Sequence, residues 1–225
     1  MIKLPDVKLE DSIVYLDFEG VLCKNPITFY LLAKRPAKAI KALLNAIPSS
    51  IKKKLRGYNF IPSLIEETKL NYEKTLSEVE KYLLGREIYQ NQSSTQKIWL
   101  RDLLFILREN SCETYIITNA SKEIVYGFFH SLSSLVEKER ILTSKEKDKA
   151  VKLLREKKKK IIGVGDSKSD EKAFEACDIS IKISSIMSLL YPPKNYNYEF
   201  KNLCELLEFF DAVKTQQELK YLISP

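Results

Sequence analysis

Short runs of β-branched and aromatic residues alternate along the chain with segments whose apolar positions recur every three or four residues. The first run, Ile13, Val14, Tyr15 and Leu16, has the length and composition of a buried strand. It ends in Asp17-Phe18-Glu19-Gly20-Val21, which places two carboxylates one residue apart at a strand's carboxyl end, with Gly20 allowing a tight turn beside them. From residue 24 to 96 the period becomes helical. Phe29, Leu31, Leu32, Ile40, Leu43, Leu44 and Ile47 recur at near-helical spacing, broken at Pro36 and closed at Pro48, because an interior proline removes a helix hydrogen bond. Helical runs follow over 61–69 and 77–89, the second with Val79, Tyr82 and Leu83 on one face. The aperiodic polar stretch 90–95 reads as a linker.

Beyond it, Leu100, Leu103, Leu104, Ile106 and Leu107 predict a helix that leads into a second strand over 113–118, ending in Thr118 and Asn119. Asn119 or Ser121 can cap the helix that follows. A short strand is expected at 141–143, then a helix carrying Ala150, Val151, Leu153 and Leu154. A fourth strand at 161–165 delivers Asp166-Ser167-Lys168-Ser169-Asp170; a fifth spans 179–183, and a helix over 203–210 closes the pattern. Strands alternating with helices predict an α/β fold, a Rossmann-like, mostly parallel sheet with helices on both faces. The expected organisation is an α/β core of residues 1–23 and 97–225, interrupted by an α-helical domain of residues 24–96.

Composition agrees with that division. The chain has 225 residues, 44% hydrophobic and 30% charged, enough for one α/β core and an insertion. No apolar run approaches the ~20 residues of a membrane span, and the first six residues lack a signal peptide's basic-then-apolar layout, so a cytoplasmic location is expected. Cys23, Cys112, Cys177 and Cys204 form no CxxC pair and are expected to be reduced, mostly buried thiols. The net charge of +7 is concentrated in residues 34–56 and 145–160. Aromatic residues do not interleave with the Lys157-Lys158-Lys159-Lys160 run, so no nucleic-acid partner is expected. His130 is the single histidine and is assigned to a helix surface, which argues against nucleophilic triads.

The candidate chemistry lies at strand ends. Parallel strands would bring Asp17 and Glu19, Thr118, and Asp166 with Asp170 to one edge of the sheet. Carboxylates gathered there repel one another unless a cation lies between them, and short acidic side chains suit Mg²⁺ together with a substrate phosphate. An aspartate in such a site can attack phosphorus, while a lysine and a threonine hydroxyl hold the phosphoryl oxygens.

These residues resemble the haloacid dehalogenase superfamily, largely Mg²⁺-dependent phosphatases and phosphotransferases. The likeness runs from about residue 12 to 183. Asp17-Phe18-Glu19-Gly20-Val21 matches the family's Asp-x-Asp-Gly-Thr/Val motif, which implies that Asp17 is the nucleophile and a metal ligand. Position 19 is by the same match the acid/base, with its carbonyl on the metal, and Gly20 lies beside the substrate. Thr118 matches the second motif, with Asn119 beside the phosphate. Gly165-Asp166-Ser167-Lys168-Ser169-Asp170 matches Gly-Asp-x-x-x-Asp, with Asp166 a metal ligand and Asp170 supporting it. Lys145, Lys147 and Lys149 are all candidates for the family's lysine; Lys147, followed by Ala150 and Val151, fits the spacing of phosphoserine phosphatase relatives. One departure is Glu19, where the family usually has Asp; misplacement of a carboxyl by about 1 Å can cost about a hundredfold in rate.

The helical insertion lies where such relatives carry a cap that closes over the phosphate. The resemblance therefore implies a Mg²⁺-dependent phosphomonoester hydrolase acting through an aspartyl-phosphate on a small phosphorylated metabolite. The alternatives are a weakly active or inactive binding or regulatory protein using its basic cap, and a phosphotransferase to an acceptor other than water. The cap's Lys34, Arg35, Lys38, Lys41, Lys52, Lys53, Lys54 and Arg56 would attract extra negative charge. Ile40, Leu43, Leu44 and Ile47 are expected to face the domain's own core, an amphipathic face for an anionic membrane being the alternative.

Overall fold

The computed structural model describes residues 4–24, 27–56, 59–144 and 146–223, with side chains described through residue 218. The apolar runs pair as neighbours in one parallel sheet. It comprises β1 (Ser12–Leu16), β2 (Glu113–Thr118), β3 (Ile141–Thr143), β4 (Lys160–Gly165), β5 (Ile179–Ile183) and β6 (Tyr198–Phe200), in the order β3-β2-β1-β4-β5-β6. β1 lies between β2 and β4, with Leu16 opposite Ile116 on one side and Val164 on the other. The chain winds outward in opposite directions from β1 and β4, so the crevice at their carboxyl ends is the switch point at which open α/β sheets place ligands.

Side-chain alternation divides the core between the sheet's two faces. Val14, Leu16, Ile116, Ile162 and Val164 face one layer, covered by α5 (Ser94–Glu109), α6 (Lys122–Phe128) and α10 (Leu203–Ile223). Ile13, Tyr15, Tyr115, Ile117 and Ile161 face the other, covered by α7 (Lys147–Leu154) and α8 (Glu171–Phe174). A short helix, α9 (Ile186–Leu190), follows β5.

Between β1 and β2 lie α1 (Ile27–Lys34), α2 (Pro36–Leu55), α3 (Phe60–Glu73) and α4 (Glu78–Gln90). Pro36 starts α2, where a proline's missing N–H costs nothing. Pro48, expected to close that helix, lies inside it. The face formed by Ala39, Ala42, Ala46 and Ser50 is buried, and tertiary packing of this small-residue face against α3 outweighs one lost backbone bond. Ile40 and Leu44, expected to face the core, are 50% and 61% exposed, because the alanine face takes the inward position. α4 begins with a capping box at Ser77 and Glu80 and crosses α6 at two glycines. A Cβ on Gly85 would lie 1.9 Å from the Ile124 carbonyl oxygen, and one on Gly127 1.9 Å from that of Tyr82. This close contact lets Tyr72, Leu84 and Ile88 join the same apolar cluster as Phe128 and Leu16.

Other elements differ at their ends. Half of the stretch 90–95 is helical: Ser93 caps α5 by accepting from the Gln96 N–H, and the break is confined to residues 91–93. A core boundary at residue 97 thus falls inside α5. β6 was not expected, since three residues carry no measurable alternation, and α10 runs past residue 210 to Ile223. His130 is exposed in a 3-10 turn after α6, its Nδ1 2.6 Å from the Tyr82 hydroxyl. No disulfide joins the four cysteines; Cys23 and Cys112 are buried, and Cys177 and Cys204 are half-buried. No helix among the described residues is long and apolar enough to cross a membrane.

Candidate active site

β1, β2 and β4 end within two residues of one another in register, and that alignment gathers their terminal side chains. Asp17 follows β1, its N–H bonded to the Val164 carbonyl at 2.9 Å. Its Oδ1 accepts from the Phe18 N–H at 2.7 Å, and its Oδ2 lies 2.6 Å from Lys147 Nζ. Lys147 is the first residue of α7, and its ammonium also meets Asp170 Oδ1 at 2.7 Å. Asp170 turns its other oxygen back on its own loop, accepting from the N–H groups of Asp166 and Ser167 at 3.1 and 3.2 Å. The side chains of Asp17, Lys147, Asp166 and Asp170 are all buried.

Asp17, Asp166 and Asp170 each offer a carboxylate oxygen within 4.8 Å of the others. Three carboxylates against one lysine leave two negative charges in a site shielded from water. Burial, and then repulsion from Asp170 and Glu19, raises the Asp17 carboxyl to about 7 despite the opposing pull of Lys147. Burial and repulsion from Asp17 and Asp170 push the Asp166 carboxyl up as well. Hard oxygen donors with a double negative excess are what Mg²⁺ requires, so these residues fit the expected ion. Gly20 adds a steric requirement: its φ is +83°, and a Cβ there would lie 1.8 Å from Asp166 Oδ2. Gly20 packs against Asp166 and does not line the pocket, where the sequence placed it beside substrate.

Above the carboxylates is a pocket of about 440 Å³ walled by Asp17, Glu19, Thr118, Asn119, Lys147 and Asp166 on the core side, and by Thr28, Lys53, Ser63 and Lys69 from the inserted helices. The Thr118 hydroxyl oxygen accepts from the Ala120 N–H at 3.1 Å, which leaves its proton to donate. Asn119 Oδ1 and Ser63 Oγ, on residues of the pocket wall, are buried without a hydrogen-bond partner among the described residues.

Glu19 does not join the three aspartates. Its Oε1 accepts from the Ile27 N–H at 2.9 Å, and its Oε2 pairs with the buried Lys69 of α3. Of the three candidate lysines, Lys147 reaches the site and Lys149 is exposed and paired with Glu146 at 2.7 Å; Lys145 lies outside the described residues. Two site residues escaped the sequence reading. Lys69 sits in a helix among Glu66, Glu67 and Glu73 and has no distinguishing neighbour pattern. Ser185, which donates to Asp166 Oδ2, follows β5 by two residues, and a hydroxyl at that strand end was a readable signal.

No protein-family model matches the chain, and no curated protein sequence matches it. Solved structures do. A phosphoserine phosphatase from T. onnurineus aligns at 20% identity with a TM-score of 0.56, over 92% of this chain and 97% of that one. Cytosolic 5'-nucleotidase IIIB bound to cytidine aligns at 9% identity and TM-score 0.58, over 95% and 88%. A haloacid dehalogenase-like hydrolase from Burkholderia xenovorans aligns at 14% identity and TM-score 0.53, over 88% and 98%. The six-stranded parallel sheet with its helical insertion after β1, and its agreement with these structures along most of their length, give this chain the fold of the haloacid dehalogenase superfamily.

Proposed function

We propose that the protein is a phosphomonoester hydrolase that works through a phosphorylated Asp17. The carrying observation is the buried ammonium of Lys147 held between Asp17 and Asp170 beneath an open pocket, an arrangement that a purely structural ion pair does not need. Asp17 Oδ attacks phosphorus, and the P–O bond to the leaving group breaks. Lys147 and the free Thr118 proton face the phosphoryl oxygens as their charge grows. In its protonated form Glu19 gives a proton to the departing oxygen; the resulting carboxylate, beside Lys69, then takes a proton from the water that attacks phosphorus, and the P–O bond to Asp17 breaks, which restores both residues. Bonds to the Ile27 N–H and Lys69 hold the Glu19 carboxyl in one orientation. Asp17, Asp166 and the Glu19 carbonyl would hold Mg²⁺, with Asp170 behind them; the ion supplies charge neutralisation for phosphate and for the aspartates.

The pocket volume suits a small phosphorylated metabolite, with Ser63 and Asn119 offering polar contacts to it. Release of p-nitrophenol from p-nitrophenyl phosphate with Mg²⁺ tests the reading. The native protein turns over, and Asp17→Asn and EDTA each bring the rate to background. Equal rates from native protein and Asp17→Asn, or no turnover by the native protein, would overturn it.

A further inference from the structure

The outward face of α2 has an apolar stripe that none of the described residues covers. Ile40, Leu44, Ile51 and Leu55 are 50%, 61%, 47% and 83% exposed, with half-buried Ile47 between them. Their spacing of four, three, four and four residues confines them to an arc of about 80° along a straight stripe. The large aliphatic residues thus point away from the protein, while Ala39, Ala42, Ala46 and Ser50 point in, the reverse of a helix that merely packs on its own domain.

The charges flanking the stripe say what it meets. α2 contains no acidic residue. Lys38, Lys41, Lys52 and Lys54 are exposed and make no ion pair among the described residues, whereas Lys53, on the inward side, pairs with Glu66 and Glu67 of α3. At this helical spacing Lys41 and Lys52 border one side of the stripe, and Lys54 borders the other. A second copy of the chain, docked symmetrically, would oppose lysine to lysine. Nucleic acid would engage the lysines and leave the aliphatic stripe in water.

We propose that α2 is a peripheral membrane-docking helix that lies along an anionic bilayer, with Ile40, Leu44, Ile51 and Leu55 in the acyl boundary and the lysines at the headgroups. The helix is 20 residues long, and buried apolar area together with anionic attraction is the pairing that holds such helices in the interface. The inference is independent of catalysis. It also bears on access to the pocket, since Lys53 near the carboxyl end of α2 contributes to the pocket wall.

Co-sedimentation with vesicles of phosphatidylcholine alone, and of phosphatidylcholine mixed with phosphatidylglycerol, tests it. The native protein pellets with the mixed vesicles, less so at high salt, and stays in solution with phosphatidylcholine alone. Ile40→Ser/Leu44→Ser/Ile51→Ser lowers the partition by tenfold or more, on the order expected for the lost apolar area. Lys41→Gln/Lys52→Gln/Lys54→Gln lowers it by about a hundredfold. Both variants keep the native circular dichroism and p-nitrophenyl phosphate turnover; Leu55→Ser alone, at the most exposed position, gives a smaller loss should the triple variant misfold. No binding to mixed vesicles, equal binding to both compositions, or undiminished binding by the folded serine variants would overturn the proposal. So would a dimer that the serine variants abolish in a protein that ignores vesicles.

Discussion

Among the described residues, Lys147 is the only ammonium paired with any of the three aspartates, meeting Asp17 and Asp170, so the site's electrostatics depend on it and on any ion that shares its task. Removing one partner from a buried charge cluster costs about 3–5 kcal/mol. Lys147→Met is therefore expected to lose about that much in urea unfolding without metal. Mg²⁺ should raise the native protein's melting temperature by binding only the folded state, and Asp166→Asn should abolish that rise in a thermal-shift titration; an unchanged rise would dissociate Asp166 from the ion. Legibility at this scale follows position in the chain. Asp17, Thr118 and Asp166 could be read because each ends a buried strand, and parallel strands bring their ends together. Lys147 was one of three candidates, favoured only by its fit to the spacing of phosphoserine phosphatase relatives. Lys69 could not, because its importance comes from α3 lying over Glu19, a long-range placement that local sequence does not encode. Gly20 was legible as a turn residue, but its closeness to Asp166 needed the β1–β4 pairing to be known.

At the scale of the element, α3 carries two buried ionisable groups one turn apart. Lys69 pairs with Glu19, while Glu73 is buried with its Oε1 unpartnered among the described residues. Burial raises the Glu73 carboxyl to about 7, against the pull of Lys69. The folded state therefore holds a proton that the unfolded chain releases from about pH 4.5 upward. From this group, stability is fully present below pH 4.5, falls as pH rises toward 7 and stays low above it, by on the order of 2–3 kcal/mol. Glu73→Gln should raise the melting temperature at pH 8 and make little difference at pH 5; a larger gain at pH 5 would contradict the sign. The α4–α6 crossing gives a second test. Gly127→Ala puts a methyl against the Tyr82 carbonyl, and overpacking of this kind costs about 1–3 kcal/mol, readable in urea unfolding. Strands and most helices were visible as periodicity, but their ends were decided elsewhere. α2 passes through Pro48 because its alanine face packs on α3, and β6 forms because β5 offers an edge to pair with. Neither fact is local.

For the whole molecule, the pocket exists only where the inserted helices meet the sheet edge, so the link between those two parts sets how the site is closed. Two features form it: the glycine crossing of α4 on α6 and the Lys69–Glu19 pair across the pocket floor. The first is apolar and remote from the pocket wall. The second joins α3 directly to the loop after Asp17, and both side chains are largely shielded from water, at 6% and 17% exposure. Lys69→Met leaves Glu19 without its cation while the glycine crossing stays intact. The loss, about 3 kcal/mol for a broken buried pair, should therefore appear in the inserted helices and not in the sheet. Hydrogen exchange measures this by element: amides of α3 should exchange roughly a hundredfold faster, with those of β1 and β4 unchanged. Uniform acceleration across the sheet would mean that the pair supports the entire fold, and no acceleration anywhere would mean that the glycine crossing alone holds α3 over the site.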